Sequence, residues 1–213
     1  MSENVNWGDL PKTLRHIFEE NAQSLEYKRG EFVYRQNDSP KGLYYIKNGL
    51  VGLTIIGANS GKEYLLRFFK EGQFFGHRSL LSGEPYHGNA MVLESSHFFF
   101  IPQKKVEEIL KQQPELYRDI AVVLAKELRR AETQHVSILE NQIIPRVAQS
   151  LIYLKDIDPD HNWTRQEIAN FCGSTVSTVI KALASIEDLG FIRQSGRSIE
   201  ILDRKELLAL QDA

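Results

Sequence analysis

Apolar and polar positions follow short, glycine-punctuated runs over the first hundred residues and change to a helical period afterwards. Residues 10–25 carry a short helical pattern. Strand-like runs follow at Gly30–Tyr34, Gly42–Ile46, Gly49–Ile56, Lys62–Phe69, Met91–Leu93 and His97–Ile101, with Gly57, Asn59 and Gly61 at a hairpin tip. Short strands at this spacing predict a sandwich or barrel. From Pro114 one helical pattern reaches about Ile144, where Pro145 is expected to end it. Along it Ala121, Leu124, Leu128, Ala131, His135 and Ile138 recur at alternating steps of three and four, the seam of a two-stranded coiled coil. Small Ala121 and Ala131 suit close helix approach. An amphipathic helix lying on its own β-domain is the alternative.

The last third holds the most specific pattern. Thr164 and Glu167 have capping-box spacing, so a helix starts there and runs to about Phe171. Gly173 follows where a left-handed residue turns the chain. Thr175 caps a second helix with Val179, Leu183 and Ile186 on its apolar side, ending at Gly190. Ala169 lets two helices cross closely, Gly173 makes the turn, and Val179 plugs the angle. That order is the packing logic of a helix-turn-helix. Residues 191–201 alternate around Ser195-Gly196, a hairpin that makes the module winged. A plain helical bundle would need cap, small residue, turn, plug and wing to coincide.

The first turns of the second helix are expected to meet DNA bases. Lys181 can donate to guanine O6 and N7, Ser177 or Thr178 can bond a base edge or phosphate, and Val176 can touch a thymine methyl. Thr175 opens this helix beside them. Arg165, Gln166, Arg193 and Arg197 suit phosphates, which set register and carry little sequence information.

Composition is that of an ordinary soluble mixture: 213 residues, 25% charged, 42% hydrophobic and a net charge of −2. That argues against nonspecific nucleic-acid coating and leaves room for a local basic face. No apolar run approaches a membrane span, the start lacks a signal-peptide pattern, and a cytoplasmic location is expected. Cys172 is the single cysteine, so neither an intramolecular disulfide nor a four-cysteine iron–sulfur cluster can form within one chain, and no metal-ligand set is legible. No nucleophile elbow, phosphate loop, HExxH or CxxC pair points to an enzyme.

The motif Gly42-x-Tyr-x-Ile-x-x-Gly49 with Gly72-x-Phe-Phe-Gly76 resembles the β-roll of cyclic-nucleotide-binding domains. With the linking helix and winged module behind it, the whole chain resembles the Crp–Fnr superfamily of bacterial transcription regulators. The resemblance implies an α+β chain: an antiparallel effector-sensing β-roll over residues 1–113, a dimerisation helix over 114–144 and a winged helix-turn-helix over 145–213. It implies a homodimer on double-stranded DNA, with RNA polymerase as a partner and a small-molecule effector conceivable.

Family members that bind nucleotide carry a ribose-binding Glu after the Phe-Gly and a phosphate-binding Arg about ten residues on. Here His77 stands at the Glu position, and Gly88, or His87 in a shifted register, at the Arg position. Gly76, His77, Arg78, Ser79, Tyr86, His87 and Asn89 would line the pocket. Arg78 would need a different approach to a phosphate. Losing the guanidinium forfeits about 1.5–3 kcal/mol of charge-assisted bonding, which counts against cyclic AMP. The Ser/Thr contact of the dimer helix has no match, since Ala131 and Glu132 lie there. By position, His77 also resembles the haem ligand of the carbon-monoxide-sensing branch. The remaining reading is an unidentified effector, or a pocket closed on its own side chains. The expected function is sequence-specific transcription regulation by a homodimer. A small-molecule-binding module with a degenerate DNA head is the rival, because Ser177 and Lys181 replace the Glu and Arg usual on the reading helix.

Overall fold

The computed structural model describes residues 12–210. It divides into two compact units, one of residues up to Lys62 with Leu66–Leu128, the other of Glu63–Leu65 with Arg129 onward.

The first unit begins with α1 (Lys12–Asn21), followed by β1 (Gln23–Tyr27), β2 (Phe32–Tyr34), β3 (Gly42–Ile56), β4 (Glu63–Lys70), β5 (Phe74–Phe75), α2 (His77–Ser82), β6 (Asn89–Pro102) and α3 (Gln103–Gln112). The strands form one sheet in the order β1-β6-β3-β4, with β2 also on β6 and β5 on β3. The helix expected over residues 10–25 stops at Asn21; its first two residues lie outside the described ones. Gln23–Tyr27 instead pair antiparallel with Ser96–Phe100 of β6. Ladder bonds to a strand distant in sequence outweigh a weak local helical pattern.

Two pairs of expected strands are each continuous. Residues 42–56 form β3, and 89–102 form β6, paired along their length with register shifts at Ile46, Asn48 and Leu50. Bulges let the ladder continue through Gly49 with added twist, so the glycines bend the strands rather than divide them. Both faces of β3 are covered. Leu43 and Tyr45 pack with Ile17 and Phe18 of α1, Val106 and Leu110 of α3, and Leu116 and Ile120 beyond. Tyr44 and Ile46 point to the other side, against Tyr34, Phe69, Phe75, Tyr86 and Phe98.

Helix α4 spans Leu116–Glu140 and α5 spans Ile143–Ile157. The long helix therefore ends before Ile144, and Pro145 sits in the first turn of α5 behind the N-cap Gln142. First-turn N–H groups have no intrahelical acceptor, so proline forfeits nothing there.

In the second unit, α6 (Arg165–Cys172), α7 (Val176–Asp188), β7 (Ile192–Ser195), β8 (Ser198–Ile201) and α8 (Arg204–Ala209) complete the chain. Its core joins Val147, Leu151 and Leu154 of α5 with Ile168 and Ala169 of α6, Val179, Leu183 and Ile186 of α7, Ile192, Ile199 and Leu207, all buried.

Candidate nucleic-acid interface and front-domain site

The α6–α7 corner forms as its residues dictate. Thr164 Oγ1 accepts the Glu167 N–H at 3.1 Å, and Glu167 Oε2 accepts the Thr164 N–H at 2.8 Å, completing the capping box. Gly173 takes φ 70°, ψ 28°, and Ser174 N–H returns to the Ala169 carbonyl at 3.0 Å. A side chain at Gly173 would meet open space, so the demand for glycine lies in the left-handed backbone. Ala169 and Val179 are fully buried at the crossing.

Thr175 Oγ1 caps α7 by accepting the Thr178 N–H at 3.2 Å, and lies 3.0 Å from Ser177 Oγ and 2.8 Å from Thr178 Oγ1. Both candidate base-reading hydroxyls therefore belong to the cap in the free chain. Ser177 and Lys181 are exposed, while Val176 and Thr178 are half-buried. Ile180, beside Lys181, is 51% exposed. It was not among the expected readers, although its four-residue spacing from Val176, on the flank of the face that buries Val179 and Leu183, is legible on a helical wheel.

Arg165, expected at a phosphate, has partners within the protein. It is half-buried, with Nη1 donating to the Arg197 carbonyl and Nη2 to Gln194 Oε1, both at 2.8 Å. Gln194 in turn donates through Nε2 to Glu187 Oε2 at 2.9 Å. Arg165 thus ties α6 to the hairpin, and Gln194 ties the hairpin to α7. The hairpin pairs Ser195 with Ser198, so its tip is Gly196-Arg197, one residue later than expected. Arg197 is exposed; Arg193 is exposed and 3.4 Å from Glu200; exposed Gln166 donates to Asn170 Oδ1 at 2.7 Å.

In the first unit, the expected pocket residues differ in exposure and partners. His77 is buried, with Nε2 3.3 Å from Glu127 Oε2 on α4 and its ring edge-on to Phe74. Arg67 Nη1 donates to the same oxygen at 2.8 Å. Burial would raise the Glu127 pKa, but the hydrogen bond and charge of His77, with Arg67, bring it down to about 2. Sequence reasoning missed Arg67 and Glu127, since no local signal links a strand, a short helix and a distant long helix. Arg78 and His87 are exposed. Ser79 Oγ donates to the Pro85 carbonyl at 3.2 Å, and Asn89 Oδ1 accepts the Gln36 N–H at 2.9 Å.

Tyr86 is buried, stacked on Tyr34 at 3.6 Å between ring centroids, and its hydroxyl accepts the Lys41 N–H at 2.9 Å. Tyr44, Phe75 and Phe98 continue the aromatic filling. Burial pushes the Tyr86 hydroxyl pKa up, keeping it neutral. Gly88, which with His87 is one of the two positions expected for the family arginine, lies against β3. A Cβ there would fall 2.4 Å from the Thr54 carbonyl oxygen.

Along α4, Leu128 is 61% exposed, and Ala121, Ala131, His135 and Ile138 are also exposed. Leu124, expected on the same seam, is half-buried and packs on the core of its own unit. Tyr117 and Leu139 join the exposed line.

A rolled antiparallel sheet, a long helix and a winged helix-turn-helix are together the architecture of a DNA-binding transcription regulator. Residues 24–113 match the cyclic nucleotide-binding domain model and residues 145–210 the Crp-like helix-turn-helix domain model. The CRP-like cAMP-activated global transcriptional regulator of Mycobacterium tuberculosis is 28% identical over 194 residues, covering 87% of this chain and 86% of the relative. The transcriptional activator protein anr of Pseudomonas aeruginosa is 26% identical over 192 residues, covering 86% and 78%. Among solved structures, TTHA1359, a CRP/FNR-family regulator of Thermus thermophilus, superposes with a TM-score of 0.77 at 25% identity, covering 90% of this chain and 99% of that one. The c-di-GMP responsive regulator CLP of Xanthomonas campestris shares the fold, with a TM-score of 0.79 at 17% identity over 89% and 97%. The chain belongs to the Crp–Fnr superfamily of transcription regulators, whose members are regulators and not enzymes.

Proposed function

We propose that the chain works as a homodimer that binds a specific DNA operator, and that its β-roll has lost the usual cyclic-AMP contacts. The reading rests on one observation. Helix α7 buries Val179, Ala182, Leu183 and Ile186 and leaves Ser177, Ile180 and Lys181 exposed beyond a capped left-handed turn. Two such helices about 34 Å apart enter successive major grooves, and the exposed line on α4 supplies the dimer contact. RNA polymerase is the expected partner on the promoter, and the cytoplasm the place of action. No described helix is long and apolar enough to cross a membrane.

Gly88 has no room for a guanidinium-bearing side chain, and Tyr86 and Tyr34 stack inside the roll. Both support a sensory domain that does not hold a cyclic nucleotide in the usual way. The effectors named for the similar proteins differ, cAMP in one and c-di-GMP in another. Haem on His77 gains no support, because its Nε2 is engaged by Glu127. Any effector acts only through its different affinities for DNA-competent and incompetent states. Selection of duplexes from a randomised library, repeated with cyclic AMP present, tests the reading. Enrichment of a two-half-site operator independent of cyclic AMP is expected. Failure to enrich any duplex overturns it.

A further inference from the structure

We propose that Ile180 makes this protein select its operator through thymine methyl groups, with Val176 as the neighbouring contact. The inference rests on the reading of the chain as a duplex-binding regulator.

Ile180 leaves half its surface in solvent, whereas Val179, Leu183 and Ile186 of the same helix are fully buried. One exposed aliphatic side chain is ordinary on a protein surface. This one lies on the exposed side of α7, one turn after half-buried Val176, with exposed Ser177 and Lys181 beside it. Four residues of helix span about 6 Å, so the pair can address neighbouring base pairs. Residues 176–184 contain no acidic side chain to repel phosphates. Lys181 and exposed Arg197 at the hairpin tip supply positive charge.

Such a face meets few rewarding groups in a major groove. Base edges there are hydrogen-bond donors and acceptors, save the C5-methyl of thymine. An isoleucine against a donor or acceptor edge removes that edge's water and returns no bond. Against a thymine methyl it buries apolar surface on both sides. Ser177 and Thr178 share hydroxyl contacts with the Thr175 cap, so they are already partly committed within the protein. Ile180 and Lys181 are therefore the side chains left to discriminate: Lys181 for a guanine edge, Ile180 for an A·T pair with its methyl toward α7.

The full-length protein is first used to select duplexes from a randomised library. In the selected duplex each thymine is then replaced singly by deoxyuridine, which removes only the methyl and leaves the protein unaltered. Fluorescence anisotropy reads the affinity. Loss of about fourfold is expected at one or two thymines of each half-site. Ile180→Ala is expected to bind the original duplex more weakly and to be indifferent to uracil at the position it contacted. Wild-type protein indifferent to every uracil, or Ile180→Ala with undiminished uracil sensitivity, overturns the assignment while the regulator reading stands. Failure to enrich any duplex removes both.

Discussion

His77 at the start of α2 meets Glu127 of α4 at 3.3 Å between Nε2 and Oε2, and Arg67 Nη1 closes on the same oxygen from β4 at 2.8 Å. A corner of the first unit is thereby joined to the long helix through a half-buried carboxylate. Because the Glu127 pKa lies at about 2, below the ordinary carboxylate value, its stabilisation is present above about pH 4.5 and disappears as pH falls towards 2. Glu127→Gln should lose about 2–3 kcal/mol at pH 7 and show a flatter stability profile across that acid window. Urea unfolding from pH 7 down to pH 3 measures both. Parallel profiles for variant and wild type would refute the account.

Placing an arginine at position 88, one of the two positions expected for it, should fail. Gly88→Arg drives a Cβ against the Thr54 backbone carbonyl and is expected to cost about 2 kcal/mol of stability without creating cyclic-AMP affinity. Thermal unfolding and calorimetric titration with cyclic AMP are the checks.

Arg165 holds the hairpin through the Arg197 carbonyl and Gln194. Arg165→Ala should weaken all duplexes alike, by about 1–2 kcal/mol, with the preferred sequence unchanged. Since its guanidinium is spent within the protein, the slope of affinity against salt should stay constant. Arg197→Ala should lower that slope by about one. Binding isotherms at several salt concentrations separate the two roles.

Leu128 is largely exposed on α4, so Leu128→Asp should leave monomer stability within about 0.5 kcal/mol of wild type and still dissociate the dimer. Sedimentation equilibrium should report half the mass, and operator affinity should collapse with it. An unchanged mass would place the dimer contact elsewhere.

Local chemistry made the reading head legible. Thr164 with Glu167, Gly173, Thr175 and Val179 act within a few residues of one another, so capping, turn and plug follow from residue type and spacing. Expectations failed where partners lie far apart in the chain. Gln23–Tyr27 became a strand because β6 offered it a ladder. The bonds of Arg165 to the Arg197 carbonyl and Gln194 were likewise not legible, since those partners lie about thirty residues on.

The chain order of apolar, small, capping and glycine residues determined by itself the sheet-then-helix plan and the identity of the DNA-reading corner. Those features depend on conformational preferences and periodicities that each segment carries with it. Tertiary structure alone decided what became of the sensory side chains: the commitment of His77 to Glu127, the aromatic filling around Tyr86, and the want of space at Gly88. Burial and charge pairing are properties of neighbours brought together by folding, and no single segment encodes them.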